Sequence, residues 1–248
     1  MRPIGFSTGA VAYSDFQRAL QLLSSQPVNC VELSALRLHE VAPLLDAIKT
    51  LDLRRYKYVS FHAPSKFTAE EEGPLSEQLK SVPSEWPIIL HPDSIHNFTH
   101  WRSFGSQLAI ENMDRRKPGR TVEELRCTFD ELPSAVFCFD IGHARQCDTS
   151  MTEAYRMLKA FHGRLRQVHV SEVNMASQHD PVSYATKVAF REVACLIPLS
   201  IPLIIESRVT ETEISAEIKR VAEALPEALE AVAAGDWQNR CSAMPPPR

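Results

Sequence analysis

The sequence predicts a single (β/α)8 barrel, the TIM-barrel class, and three observations predict it. Eight short β-rich runs alternate with segments of helical periodicity from one end of the chain to the other. The 248 residues divide into about 31 per unit, the length of a strand, a helix and two loops. No GxGxxG turn follows the first run, and the chain has only 8 glycines, which counts against an open dinucleotide-binding sheet. The barrel is expected over residues 1–234. Residues 235–248, ending in Met-Pro-Pro-Pro-Arg, read as an exposed C-terminal tail.

The predicted strands are 4–7, 30–33, 58–62, 88–91, 108–111, 136–140, 166–170 and 203–206. Each is four or five residues long and dominated by β-branched, aromatic or aliphatic side chains. The helices between them show in the spacing of apolar residues. Phe16, Ala19, Leu20 and Leu23 follow the first strand, and Val41, Leu44, Leu45 and Ile48 the second. The last helix, 213–233, carries Ile214, Ile218, Val221, Ala222, Leu225, Leu229 and Val232, with Pro226 set to kink or split it.

Composition is that of a soluble globular protein, 44% hydrophobic and 23% charged. The net charge of −4 gives no field to draw in a polyanion. That counts against nucleic acid as a partner without excluding a local basic patch. Six cysteines (30, 127, 138, 147, 195 and 241) form no CxxC pair and read as reduced thiols. The N-terminus enters a strand with no signal-peptide pattern, and no apolar run approaches the roughly 18 residues of a membrane span. A soluble, cytoplasmic protein with no membrane partner is expected.

In a barrel, chemistry sits where strands end and the following loops begin. From the third strand onward the ends read Ser60-Phe61-His62-Ala63-Pro64, Leu90-His91-Pro92, Ile110-Glu111-Asn112, Phe139-Asp140-Ile141-Gly142-His143, Val168-His169-Val170 and Ile205-Glu206-Ser207-Arg208. Six consecutive strands finish on His, His, Glu, Asp, His and Glu. With 31 Asp and Glu and 9 His in the chain, chance does not supply such a row. Two Glu, one Asp and one His aimed into a closed mouth repel one another unless a cation neutralises them. A set of N and O donors without thiolate suits a divalent metal: Mn, Zn or Co, with Mg also admitted.

These ordered strand ends resemble the xylose-isomerase-like barrel superfamily, which holds sugar isomerases and epimerases together with endonuclease IV-like abasic-site enzymes. The resemblance spans roughly residues 4–209. In the epimerase branch it implies one metal held by Glu111, Asp140, His169 and Glu206, with His143 contacting substrate. The family's strand-seven motif ends in an Arg where this chain has Met175, and its strand-five motif has a Glu where this chain has Lys117. In the endonuclease IV branch, His62, His91, Glu111, Asp140, His143, His169 and Glu206 match seven of nine ligands to three zinc ions. His179 stands where part of an Asp-x-His pair belongs, and the loop 171–184 contains no Lys or Arg.

Two mechanisms follow from the resemblance. In the leading one, a metal-chelated sugar or sugar phosphate is isomerised or epimerised, with Glu111 and Glu206 as the catalytic proton-transfer pair and His143 and Arg208 binding this small carbohydrate-like substrate. In the second, the chain is a multi-metal phosphodiesterase acting on abasic DNA; His62, His91, His143 and His179 are the candidates for a second metal or for substrate contact. A non-catalytic or dehydratase-type barrel is the third reading, motivated by Met175 and Lys117. Barrels of this superfamily often pair, so the resemblance admits a homodimer. The remaining polar and aromatic residues read as structural. Arg208 has a competing role in an ion pair with Glu211 or Glu213. Glu32 is expected in a salt bridge away from the ligands, and Trp86 at the barrel bottom. His96, His100 and Trp101 are expected on one face of a short helix, and His39 and His162 in solvent.

Overall fold

The computed structural model describes residues 2–226. Eight parallel strands close into a barrel in the order 1-8-7-6-5-4-3-2: Ile4–Ser7, Cys30–Ser34, Tyr58–His62, Ile88–Leu90, Leu108–Glu111, Val136–Asp140, Leu165–Val170 and Leu203–Ile205. Every expected strand is present, with ends moved by one residue at most. His91 and Glu206 fall just past their strands, in the loops. No helix among the described residues is long and apolar enough to cross a membrane.

Alternation along each strand decides what faces the lumen. Val31, Leu33, Val59, Phe61, Phe137, Phe139, Val168 and Val170 point outward into the layer shared with the helices. Their neighbours Glu32, Ser60, His62, Cys138, Asp140, Gln167 and His169 therefore point inward. Ile89, Ala109 and Cys138 form a separate small apolar cluster inside the barrel, beneath the ligand row. Gly5 is needed where strands one and two pack, because a Cβ there would lie 1.9 Å from the Cys30 carbonyl oxygen.

Several expectations are corrected. The segment after strand four is three short 3-10 turns, Pro92–Ser94, Phe98–His100 and Arg102–Gln107, so His96, His100 and Trp101 share no helix face. Trp101 is buried and donates from Nε1 to Glu72 at 2.8 Å, while His96 Nε2 meets the Phe67 carbonyl at 2.9 Å. Trp86 packs, half-buried, against the core, and His39 and His162 are exposed, as expected. The last helix is Ile214–Ala224 and stops before Pro226; the rest of the expected 213–233 helix, the 234/235 boundary and the tail lie outside the described residues. Cys30, Cys127, Cys138 and Cys147 are free thiols, but Cys195 is disulfide-bonded, so the thiols are not uniformly reduced.

Candidate metal centre

Closure brings the six strand ends together. Each donor set below offers one atom per residue, all within 4.8 Å of one another: Glu111, Asp140, His169 and Glu206; His62, His91 and Glu111; and Asp140, His143 and His179. Ligand bonds of about 2.0–2.2 Å put two donors of one ion at most ~4.4 Å apart, so a few tenths of an ångström of adjustment closes them. Glu111 and Asp140 each belong to two sets. Cys138 also lies near Glu111 and His169, but burial pushes its thiol well above the usual range, so it stays protonated.

Backbone and neighbouring side chains fix the rings. His62 Nδ1 lies 2.7 Å from the Ala63 carbonyl, which leaves Nε2 facing Glu111 Oε2 at 3.5 Å. His91 Nε2 faces the same oxygen at 3.5 Å, and His169 Nδ1 faces it at 3.4 Å. His169 turns its other nitrogen across the lumen to Glu32, with Nε2 to Oε2 at 3.0 Å. Gln167 and Ser60 also donate to that oxygen, at 2.8 and 3.1 Å, and the Tyr58 hydroxyl donates to Gln167 Oε1 at 2.7 Å. The expectation for Glu32 is thus half corrected. It does pair with a cation-forming group, but that group is a candidate ligand, and Glu32 is buried in mid-strand rather than set apart at a strand end. A carboxylate behind a ligating imidazole fixes its tautomer and raises its basicity.

The Asp-Ile-Gly-His run builds the third set. Asp140 caps the helix Ile141–Cys147, accepting from the His143 amide at 2.7 Å, while Oδ2 makes no hydrogen bond and lies 3.3 Å from His143 Nδ1. Gly142 lets that helix sit against strand seven; a Cβ there would lie 2.4 Å from the Ser171 carbonyl. Asn112 ties strands five and six by a reciprocal pair with the Asp140 backbone, both bonds 2.8 Å, and its carbonyl meets His143 Nδ1 at 3.0 Å. His179 arrives on a hairpin, Glu172–Val173 against His179–Asp180, and its Nδ1 meets Ser171 Oγ at 2.8 Å. Asn112, Ser171 and Gln167 were not singled out from the sequence as functional. Asn112 follows a ligand directly, and Gln167 stands two residues before one, which is the signal that was there to read.

The donors fit a metal. Glu111 Oε2, Asp140 Oδ2 and His169 Nδ1 are buried with no hydrogen-bond partner, a costly arrangement that divalent ions would relieve. Electrostatics agree. Burial pushes the Glu206 carboxyl up to about 8. Burial would pull His143 down, yet Asp140 and Glu111 outweigh it and hold the imidazole at about 9. Burial, helped by the His143 charge, drops His179 to about 3. The protons held by the raised groups are those a metal displaces.

Above the donors lies a cavity of about 640 Å3 whose wall includes His62, His91, Glu111, His143, His179 and Glu206. Lys117 reaches it, 3.1 Å from Asp93 and 3.3 Å from His91 Nδ1. Met175 does not: it is 71% exposed, with Arg115 donating to its sulfur at 3.4 Å. Arg116 lines the cavity instead, bound to Asp114 at 3.0 Å and donating to the Ala176 carbonyl. Arg208 also lines the cavity and pairs with neither Glu211, which takes Arg18 at 2.8 Å, nor Glu213, which is held by Thr210.

The chain has the (β/α)8-barrel fold, with metal-ligating residue types at the ends of strands three to eight. No protein-family model matches the sequence, and no curated protein does. Among solved structures it is similar to SacUVDE, at 16% identity and a TM-score of 0.56, over 92% of this chain and 100% of that one. A xylose isomerase domain protein from Alicyclobacillus acidocaldarius superposes with a TM-score of 0.57 at 10% identity, over 91% of this chain and 98% of its own. A candidate sugar phosphate isomerase/epimerase from Anabaena variabilis gives 0.53 at 12%, over 88% of both. At these identities the likeness is one of fold.

Proposed function

We propose that this chain is a divalent-metal-dependent hydrolase of phosphate esters, whose ions Glu111 would help to hold together with the imidazoles around it. One observation carries the reading. Glu111 Oε2, buried and without a hydrogen bond, has His62, His91 and His169 around it at 3.4–3.5 Å. A carboxylate so placed would serve two donor sets, one with Asp140, His169 and Glu206 and one with His62 and His91, which supports more than one ion. Ions held there supply Lewis acidity and charge neutralisation to a phosphoryl group. The chain's own part is positional. Ala63 and Glu32 hold the rings of His62 and His169 in one tautomer, and the closed barrel shields the donors from below. Lys117 and Arg116 stand where phosphate oxygens would lie. The net charge of −4 and the loop 171–184 without Lys or Arg favour a small phosphodiester over duplex DNA as substrate.

The sugar isomerase reading stands second. The donor set of Glu111, Asp140, His169 and Glu206 supports it, because it gives one ion two flanking glutamates for proton transfer. Metal analysis and turnover separate the two. The hydrolase reading expects two or more Mn, Zn or Co equivalents per chain, with loss of one in His62→Ala or His91→Ala, and cleavage of bis(4-nitrophenyl) phosphate. One equivalent that survives both substitutions, with no cleavage, overturns it and moves screening to ketose–aldose pairs.

A further inference from the structure

The ring of donors around the barrel mouth has a gap. Strands three to eight each end in a ligand-type residue, whereas the sector of strands one and two presents Ser7, Gly9, Ala10 and Leu36 to the cavity. The strand order puts loops eight, one, two and three side by side, so this sector is flanked by Arg208 on one side and Lys66 on the other. Both cations line the cavity and both are exposed. Neither has an ion-pair partner among the described residues, while the other two cations of the wall, Arg116 and Lys117, are each matched by an aspartate. A chain with a net charge of −4 therefore keeps two uncompensated positive charges at this one place.

Their backbones are held although their side chains are free. Ser65 donates its amide to the Leu36 carbonyl at 3.2 Å, and Phe67 is buried against His96 and Trp101, so Lys66 is fixed from both sides. Arg208 donates its amide to the His179 carbonyl at 3.0 Å, and the preceding Ser207 bonds buried Glu217 at 2.5 Å. Long cationic side chains on an anchored backbone, over a floor of small residues, leave room and charge for an anion.

We infer that Lys66 and Arg208 clasp a second anionic group of the substrate above Ser7, Gly9 and Ala10, so that the substrate carries two phosphate-class groups. One faces the metal ligands and one lies in the ligand-free sector. Only the assignment of the first group rests on the phosphate-ester reading. The second is a property of the protein without metal, and it is tested there.

The probe is inorganic phosphate, in equilibrium dialysis against the full chain stripped with chelator at low ionic strength. Saturable binding of one phosphate per chain is expected, weakened about tenfold by Lys66→Gln and by Arg208→Gln, the loss of one charge-assisted contact each. Lys49→Gln, on an outer helix where Lys49 pairs with Asp46, should bind like the parent. Absence of saturable binding, or binding indifferent to both substitutions, overturns the clasp. Phosphate binding without phosphodiester turnover in the metal-loaded protein would leave the clasp standing and remove the hydrolase reading.

Discussion

Two regions of this molecule each bury a glutamate, and they treat it in opposite ways. Outside the barrel, Glu217 on the last helix has both oxygens occupied. Oε1 accepts from the Val182 amide at 2.9 Å and Ser207 Oγ at 2.5 Å, and Oε2 from Arg220 Nε at 2.6 Å. In the barrel mouth, Glu111 is as deeply buried, yet its Oε2 accepts nothing. Burying a charge is costly unless hydrogen bonds or ions compensate it. Glu217 is compensated by the fold and so serves the fold. It ties the loop carrying Glu206 and Arg208 to the segment that follows the His179 hairpin. Glu111 is faced only by imidazoles, at 3.3–3.5 Å, with no hydrogen bond to Oε2, and so marks the place for a ligand.

The sharpest way to break this contrast is Glu111→Gln. It should keep the circular-dichroism spectrum of the parent, empty the bridged donor sets, and lower phosphodiester hydrolysis by about a thousandfold or more, the several kcal/mol that Lewis-acid stabilisation supplies. Retention of the full metal content would show that Glu111 is no bridge. Glu217→Ala reverses the pattern. Denaturant unfolding should register a loss of about 3–5 kcal/mol, the usual result of removing one partner from a buried charged network. A loss below about 1 kcal/mol would show that the node is dispensable.

Glu32→Gln sharpens the comparison, since Glu32 stands between the two cases. One oxygen is fully engaged, the other lacks a partner, and its role is to orient His169. Zinc affinity, read by competition with a chromophoric chelator, should weaken about 10- to 100-fold while the melting temperature changes little. Unchanged affinity would reduce Glu32 to packing.

The smallest effect is in pH. In metal-free protein Glu206 is raised from an ordinary 4.5 to about 8 and His143 from 6.5 to about 9. A raised folded pKa gives stability that is complete below the ordinary value and lost as pH rises through the folded one. His179 is lowered to about 3 and so changes nothing above 6.5. The metal-free melting temperature should therefore fall as pH rises from 6.5 to 9. Metal-loaded protein, with these protons already displaced, should stay level across the same range. A metal-free profile as level as the loaded one would contradict these titrations.

Much of this was legible in the residues themselves. Short runs of β-branched, aromatic and aliphatic residues marked strands such as Val136–Asp140, and a ligand-type residue closing six strands in a row located the mouth, because both signals are local to a few residues. Glu32 was only half legible, an ion pair being expected but not its place behind His169, for the opposite reason. Its partners His169 and Gln167 are 137 and 135 residues away and lie across the lumen, not on a neighbouring strand. His96, His100 and Trp101 were misread because helical spacing is shared by a chain of 3-10 turns pinned by Glu72.

The sequence by itself determined the barrel and the row of ligand-type residues that close six of its strands, since hydrophobic period and strand-end chemistry need no knowledge of distant contacts. Only the tertiary structure decided that Glu111 sits among three imidazoles and that Glu32 backs His169. The same holds for Lys66 and Arg208, which have no ion-pair partners among the described residues and stand on either side of the ligand-free sector. Those facts depend on barrel closure, which sets residues more than a hundred positions apart within hydrogen-bond distance and leaves chosen charges uncompensated.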